Sequence, residues 1–314
     1  MNKDISKNRE AECINSKNTP IFIVGSARSG TTMIGELLTK ANVGKSFEGH
    51  FVVDAFQHFG SGKLSKVQMQ KLLRKINSYE SIKCFDIGLV EKSYFGVEKV
   101  TTKKVVIDVL EKIASNHPSK QWIEKTPHYI YNVKLLLKTF PEAKILWVLR
   151  DGRDVAHSVF QKNWGANNVY YAAKEWLAAN YQNAALNDKR VLLVKYEDVL
   201  SSPKEGLSKI FKFLHFNCTN IETLSSAIDP QKMNRWKQTL SRRQINTYEA
   251  IAFECLKKYG YETNAYSQNK ISWVWKIIYS THNHFKLGLH LANENTVKPI
   301  KIKLGIIKPF DEKN

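Results

Sequence analysis

The chain has 314 residues, 43% of them hydrophobic, and carries 48 Lys and Arg against 29 Asp and Glu for a net charge of +19. That length buries a full α/β core, and the positive balance favours polyanionic partners: nucleotides, acidic glycans, anionic membrane or nucleic acid. The absence of zinc-finger spacing, an RNP-like aromatic motif or a long Lys/Arg tract argues against specific nucleic-acid recognition, and no apolar run of about 18 residues predicts a membrane span.

Residues 1–19 read as a polar, disordered segment without a signal-peptide core. A strand follows over 21–25 (Ile21-Phe22-Ile23-Val24-Gly25), then a glycine-punctuated loop, then a helix near 30–41 with Met33, Ile34, Leu37, Leu38 and Ala41 on one face. Gly25 and Gly30 have the spacing of the G-x-x-x-x-G-K-[ST] loop, but Thr31 stands where a nucleotide triphosphatase needs its lysine. The loop is therefore built for an anion other than the ATP of that class. Its glycines let the backbone amides of residues 26–32, Ala27 included, converge on a phosphate, and the helix start adds unpaired N–H donors. Ser26, Ser29, Thr31 and Thr32 bring hydroxyls, and Arg28 a planar fork suited to phosphate or sulfate. The plainer alternative is an ordinary strand–turn–helix corner.

Residues 43–62, with Glu48 and His50, read as irregular. Helices near 64–77 and 103–115 follow, the second with a stripe of Val105, Val106, Val109, Leu110 and Ile113. Trp122-Ile123-Glu124-Lys125-Thr126-Pro127 reads as a strand over 121–124 stopped by proline, before a helix at 128–139. A strand over 145–149 runs into Arg150-Asp151-Gly152-Arg153-Asp154-Val155-Ala156-His157-Ser158. There Asp151 is the candidate N-cap of a helix over 152–162, with Val155 and Val159 toward the sheet and Asp154 and Ser158 on a neighbouring face. A helix at 169–185 and a strand at 191–195 lead to Tyr196-Glu197-Asp198. Ser202-Pro203-Lys204-Glu205 has the form of a capping box, and Asn234-Arg235-Trp236-Lys237 precedes a helix running into Lys258-Tyr259-Gly260-Tyr261. Strands alternating with helices predict an α/β, three-layer fold with a central parallel sheet flanked by helices, and right-handed crossovers place loops 25–32 and 150–158 at its carboxyl edge.

Ile23–Thr32, with Ala-Arg-Ser-Gly-Thr-Thr closing the loop, resembles the donor-binding loop of sulfotransferases that use 3′-phosphoadenosine 5′-phosphosulfate (PAPS). It looks more like the tyrosylprotein and bacterial branches than the cytosolic small-molecule branch. The resemblance extends over residues 20 to about 262 and implies a P-loop-like sulfotransferase fold, with a domain at 20–265 and a basic, aromatic extension at 266–314. It implies that Arg150 and Ser158 grip the 3′-phosphate, that Lys125 lies near the transferred sulfuryl group, and that Tyr196 lies near the nucleotide. It implies that Arg235 and Lys237 bind phosphate from a closing loop and that Trp236 stacks there. A glutamate at a similar distance after Gly-Thr-Thr looks like the base in the tyrosylprotein branch, which makes Glu48 the candidate base and His50 its substitute.

The resulting expectation is transfer of a sulfuryl group from PAPS to a hydroxyl or amine acceptor, a glycan or other cell-surface precursor among them, with release of adenosine 3′,5′-bisphosphate. Arg28, Lys125 and Glu48 are the catalytic candidates. Arg and Lys supply the positive charge, so no metal is expected. A P-loop kinase or ATPase is disfavoured by Thr31 and by the lack of a clear acidic residue ending an apolar strand to hold magnesium. A non-catalytic nucleotide-binding module stays open. The acceptor is not legible: aromatics at 51–59 and 164–176 suit sugar stacking and core packing equally.

Cys13, Cys84, Cys218 and Cys255 have neither metal-site nor disulfide-scaffold spacing and fit a reducing, cytoplasmic compartment. In the extension, Trp273, Trp275 and Tyr279 beside Lys276 suit peripheral contact with an anionic membrane, as do Lys298, Lys301, Lys303 and Lys308. A helix packed on the main domain is the favoured alternative.

Overall fold

The computed structural model describes residues 19–85, 87–94, 96–97, 99–162, 165–181, 184–264 and 271–292. The expected disorder before residue 19, Cys13, Trp164 and the four tail lysines lie outside them.

Five strands form one parallel sheet in the order β2-β5-β1-β6-β7. They are β1 (Ile21–Gly25), β2 (Lys45–Phe47), β5 (Trp122–Glu124), β6 (Lys144–Leu149) and β7 (Val191–Lys195). A separate antiparallel pair joins β3 (Lys63–Ser65) to β4 (Lys99–Thr101). β1 lies at the centre of the sheet and is buried along its whole length, which is why it reads as an unbroken apolar run rather than an alternation. Its register on β6 runs from Ile21↔Lys144 to Gly25↔Val148, which ends both strands at the same edge. The loop after β1 and the junction of β6 with α8 therefore emerge side by side.

The helices in chain order are α1 (Thr31–Lys40), α2 (Phe51–Phe59), α3 (Lys66–Asn77), α4 (Glu80–Lys83), α5 (Gly88–Ser93), α6 (Thr102–Ala114), α7 (Val133–Thr139), α8 (Gly152–Phe160) and α9 (Val169–Asn180). After β7 come α10 (Tyr196–Ser201), α11 (Pro203–Leu214), α12 (Ile221–Ser226), α13 (Trp236–Thr239), α14 (Arg242–Lys258) and α15 (Trp273–Ala292). Two apolar clusters cover the two sheet faces. One gathers Phe22, Val24 and Trp147 with α2, α6, α9 and α14; the other gathers Ile21, Ile23 and Val148 with α1 and α11. This is the expected three-layer α/β arrangement.

Four local expectations are corrected. Residues 43–62 are not irregular: β2 adds a sheet strand through Lys45↔Trp122 to Phe47↔Glu124, and α2 follows. The segment at 128–139 is divided into a 3₁₀ turn (Pro127–Asn132) and α7, because proline opens it. The helix expected to reach 185 stops at Asn180. Ser202 is the N-cap of α11 and Pro203 opens that helix, as expected, but no capping box forms there. The Ser202 N–H is already bonded to Asp198 O as α10 ends, and its side chain makes no cap bond. Capping boxes do form at Ser65/Gln68 and Ser241/Gln244.

Candidate active site

The site grows out of the carboxyl edge of β1. Gly30 adopts φ 101°, a left-handed geometry, and a Cβ there would fall 2.3 Å from Cδ2 of Tyr196, so the loop needs glycine on both counts. Gly30 is the N-cap of α1 and offers no side chain, which leaves the first-turn N–H groups free of a side-chain cap. Arg28 also lies at positive φ (67°) and sends Nε–H to Oγ of Ser158, 3.0 Å away on α8. That bond ties the first loop to the second.

The second loop is held from beneath. Asp151 caps α8 by accepting from the Arg153 N–H, as expected, and its own N–H donates to Oε1 of Glu197 at 2.8 Å. Arg150 is buried. It donates to the carbonyls of Arg28 (3.4 Å) and Lys232 (3.0 Å), pairs with Asp154 at 3.6 Å, and lies over the Tyr196 ring at 4.6 Å. Its Nε has no partner, and neither do the buried hydroxyls of Ser26 and Ser29. These orphaned donors beside a glycine cradle are what an incoming polyanion would satisfy.

A cavity of 580 Å³ opens here. Ala27, Arg28, Gly30, Thr31, Thr32, Glu48, Arg150, Ser158, Tyr196 and Arg235 line it, so most of the candidate residues come together. Ser26 faces an adjoining cavity of 70 Å³ with His128, Tyr131 and Glu175. Ser29 lines neither of the two. Trp236 and Lys237 differ from expectation. The Trp236 ring is buried with its face 3.9 Å from the Arg153 guanidinium, so it is not presented for stacking on a base. Lys237 is exposed away from the lining, and Lys232 takes its place beside Arg235. Pro127, His128, His157 and Gln161 also line the cavity and are not singled out by the sequence. His128 and His157 are each one residue from a motif position, which is the available signal.

Glu48 and Lys125 follow directly on β2 and β5; Glu48 lines the cavity, whereas Lys125 is buried behind it and does not. Nζ of Lys125 donates to Oε2 of Glu48, and Oε1 of Glu48 lies 3.1 Å from Nε2 of His50. Burial pushes the Glu48 carboxyl up, but hydrogen bonds from His50 and Lys125 and the charge of both outweigh it and hold it at about 2. The same bond to Glu48 pushes the His50 imidazole above its ordinary value. Beneath them Glu124, fully buried, accepts from the Gly49 N–H (2.9 Å) and the Thr126 hydroxyl (2.6 Å), and Thr126 Oγ1 accepts from the His50 N–H (3.2 Å). Burial pushes the Glu124 carboxyl up to about 7. Glu124 is thus an acidic residue ending an apolar strand, of the kind not expected from the sequence; it is turned to the 49–50 backbone and does not line the cavity. Among the described residues, no group of three or more His, Cys, Asp and Glu is placed to hold a metal ion.

The profile of the sulfotransferase family matches residues 20–220, which is more than half of the chain and includes both loops, β2 and β5. The chain belongs to the sulfotransferase family. PAPS is the donor of that family, and the residues described above fit a nucleotide with two separate anionic groups. A protein-tyrosine sulfotransferase of Drosophila melanogaster is 23% identical over 218 residues, covering 66% of this chain and 40% of its own. Protein-tyrosine sulfotransferase A of Caenorhabditis elegans is 22% identical over 281 residues, covering 79% and 69%. This sulfotransferase-family chain thus spans well under two thirds of the fruit-fly relative's length. Among solved structures, the sulfotransferase domain from the Synechococcus PCC 7002 olefin synthase is 20% identical, with a TM-score of 0.48 over 75% of this chain and 95% of its own.

Proposed function

We propose that this protein transfers a sulfuryl group from PAPS to a hydroxyl or amine acceptor. The observation that carries the reading is the Arg28–Ser158 bond, which joins a lysine-free phosphate loop to α8, the helix that follows Arg150, across one cavity. A triphosphate needs one cradle; a nucleotide bearing phosphates at both its 5′ and 3′ positions needs two. Backbone amides of 26–32, with Arg28 and Lys125, hold the 5′ end in this reading. Arg150, Ser158, Arg235 and Lys232 hold the 3′-phosphate, and Tyr196 supports Arg150.

Sulfuryl transfer resembles phosphoryl transfer, where catalysis is mainly positioning and charge stabilisation. The acceptor oxygen or nitrogen forms a bond to sulfur, and its proton passes to Glu48. The bond from sulfur to the bridging oxygen breaks, and adenosine 3′,5′-bisphosphate leaves with its new charge facing Lys125. The kinase reading is weaker on two grounds: Thr31 provides no cation, and Glu124 is committed to Gly49 and Thr126.

The three cysteines among the described residues are free, which supports residence in a reducing, cytoplasmic compartment. Peripheral contact with an anionic membrane completes the localisation we propose. Incubation with ³⁵S-labelled PAPS and a panel of sugars, phenols and amines should give labelled acceptor and adenosine 3′,5′-bisphosphate in equal amounts. PAPS binding without turnover on any acceptor class would support a nucleotide-binding module instead.

A further inference from the structure

Helix α15 packs on the molecule the wrong way round for a soluble protein. The side that meets α9 and α14 is polar and aromatic. Tyr279 stacks on Tyr170 with centroids 5.6 Å apart, and its carbonyl accepts from Nδ2 of Asn168 at 2.9 Å. Ser280 meets the Tyr171 hydroxyl at 3.3 Å, and Oδ1 of Asn283 accepts from the Asn167 N–H at 3.2 Å. The side left to water carries an apolar stripe, with Thr281 and His284 among it. Val274, Ile278, Phe285 and Leu289 follow one another at spacings of four, seven and four, which is a single helical stripe, and Trp273 and Ile277 widen it. Trp273 is 72% exposed and Phe285 64%. A row of large apolar side chains rarely stays in water on a soluble monomer, where burial gains about 25 cal/mol per Å².

Charge decides the occupant. From Thr263 to Asn293 the sequence has no Asp or Glu but has three Lys and three His. Lys276 and Lys286 are exposed on the helix itself. Apolar side chains including tryptophan, on a helix that carries cations and no acid, match the boundary of an anionic bilayer, where the rings enter the headgroup region and the ammonium groups meet phosphate. No helix among the described residues is long and apolar enough to cross a membrane, so the fit is in the plane of the interface.

We propose that α15 docks this protein on anionic lipid bilayers, with the Val274–Ile278–Phe285–Leu289 stripe and Trp273 inserted. Lipid binding of this kind stands or falls separately from the reaction. The test is co-sedimentation of the full chain with vesicles of phosphatidylcholine alone or with about one third phosphatidylserine, at low and high salt. Binding about tenfold stronger to the anionic vesicles, weakened by salt, is expected. Ile278→Ser with Phe285→Ser, both at exposed positions, should abolish it. Lys276→Glu with Lys286→Glu should remove the anionic preference. Brominated lipid should quench tryptophan emission in the parent and less in Trp273→Phe. Failure of the parent to sediment with anionic vesicles at low salt overturns the proposal. So does binding that survives the Ile278/Phe285 change but is lost on removing residues 293–314. A concentration-dependent dimer, seen by light scattering and broken by the same double substitution, would overturn it too and give the face to a second copy.

Discussion

The ammonium of Lys125 donates to the carboxylate of Glu48, so the two groups assigned to opposite ends of the transfer are bound to each other. While they are paired, Lys125 is withheld from the donor and Glu48, held at about 2, is a weak base. In the reaction proposed above, donor binding exchanges partners: Lys125 turns to the anionic donor and Glu48, released, faces the acceptor. Glu48→Gln should lower turnover by about 10²–10⁴ without weakening donor binding, since it frees Lys125 for the donor. A Glu48→Gln enzyme within about threefold of the parent, beside a dead His50→Ala, would move the base to His50.

The contact between Glu48 and His50 makes a pH prediction. The bond to Glu48 raises the His50 imidazole, so it adds stability that is fully present below the ordinary histidine value and lost as pH rises through the folded one. Glu48 acts in the opposite sense. Its depressed carboxyl adds stability present above its ordinary 4.5 and lost as pH falls toward about 2. In Glu48→Gln both contributions disappear, and the His50 titration followed by NMR should move down. An unmoved titration would mean that the 3.1 Å contact is not kept in solution.

Arg150 tests the second cradle. It binds two carbonyls, one carboxylate and one ring at once, which leaves Nε for a ligand. Losing a charge-assisted contact costs about 1.5–3 kcal/mol, so Arg150→Ala should weaken PAPS binding by roughly ten- to a hundredfold and hardly alter weak ATP binding. Arg150→Lys, which keeps charge but loses the planar fork, should fall between. Equal calorimetric affinities for PAPS and ATP in the parent would remove the 3′-phosphate from the account.

Much of the site is legible in the sequence because its chemistry is local. Gly25, Arg28, Gly30 and Thr31 lie within one loop, and Arg150 and Ser158 within one strand–helix junction, so their residue types and spacing carry the geometry. β2 is not legible. Lys45–Phe47 has three residues and gains its strand state from β5, far along the chain, which no local pattern records. Trp236 escapes for a related reason. Its motif looks like an exposed stacking residue, but Arg153 lies against its face and Asp154 grips its N–H, both more than 80 residues upstream. The aromatic and basic pattern of α15 suits packing and membrane contact alike, and the helix has one face of each kind.

Asp154 gives a separate prediction. Its two carboxylate oxygens accept from the Asn234 and Trp236 N–H groups, each at 2.9 Å, and the side chain is 1% exposed. It thereby fixes the turn that presents Lys232 and Arg235 to the cavity, while also pairing with Arg150. Removing one partner of a buried pair costs about 3–5 kcal/mol, and Asp154→Ala also leaves the buried Trp236 backbone N–H and that of Asn234 without their acceptor. The change should loosen residues 230–240, seen as faster amide exchange, and weaken donor binding more than Arg235→Ala does. Asp154→Asn keeps one acceptor oxygen and should be intermediate. Unchanged exchange in Asp154→Ala would show that the turn is fixed by the Trp236–Arg153 stack instead.

Glu124 links stability of the catalytic wall to pH. Oε1 accepts from Gly49 and Thr126, whereas the buried Oε2 has no partner, so ionisation is unfavourable and the carboxyl rises to about 7 from 4.5. The sign follows from proton uptake. Between those values the folded protein holds a proton that the unfolded chain has released, so stability falls as pH rises from about 4.5 through 7. A tenfold difference in proton affinity between the two states corresponds to about 1.4 kcal/mol, which makes the whole effect on the order of a few kcal/mol. Glu124→Gln keeps an oxygen for Gly49 and Thr126 and cannot ionise. Its denaturant midpoint should therefore change less than the parent's between pH 5 and 8 (roughly the window of this titration), and it should be the more stable of the two at the upper end. Parallel pH profiles for the two proteins would show that Glu124 is ionised in the fold, with water or a shifted side chain completing Oε2.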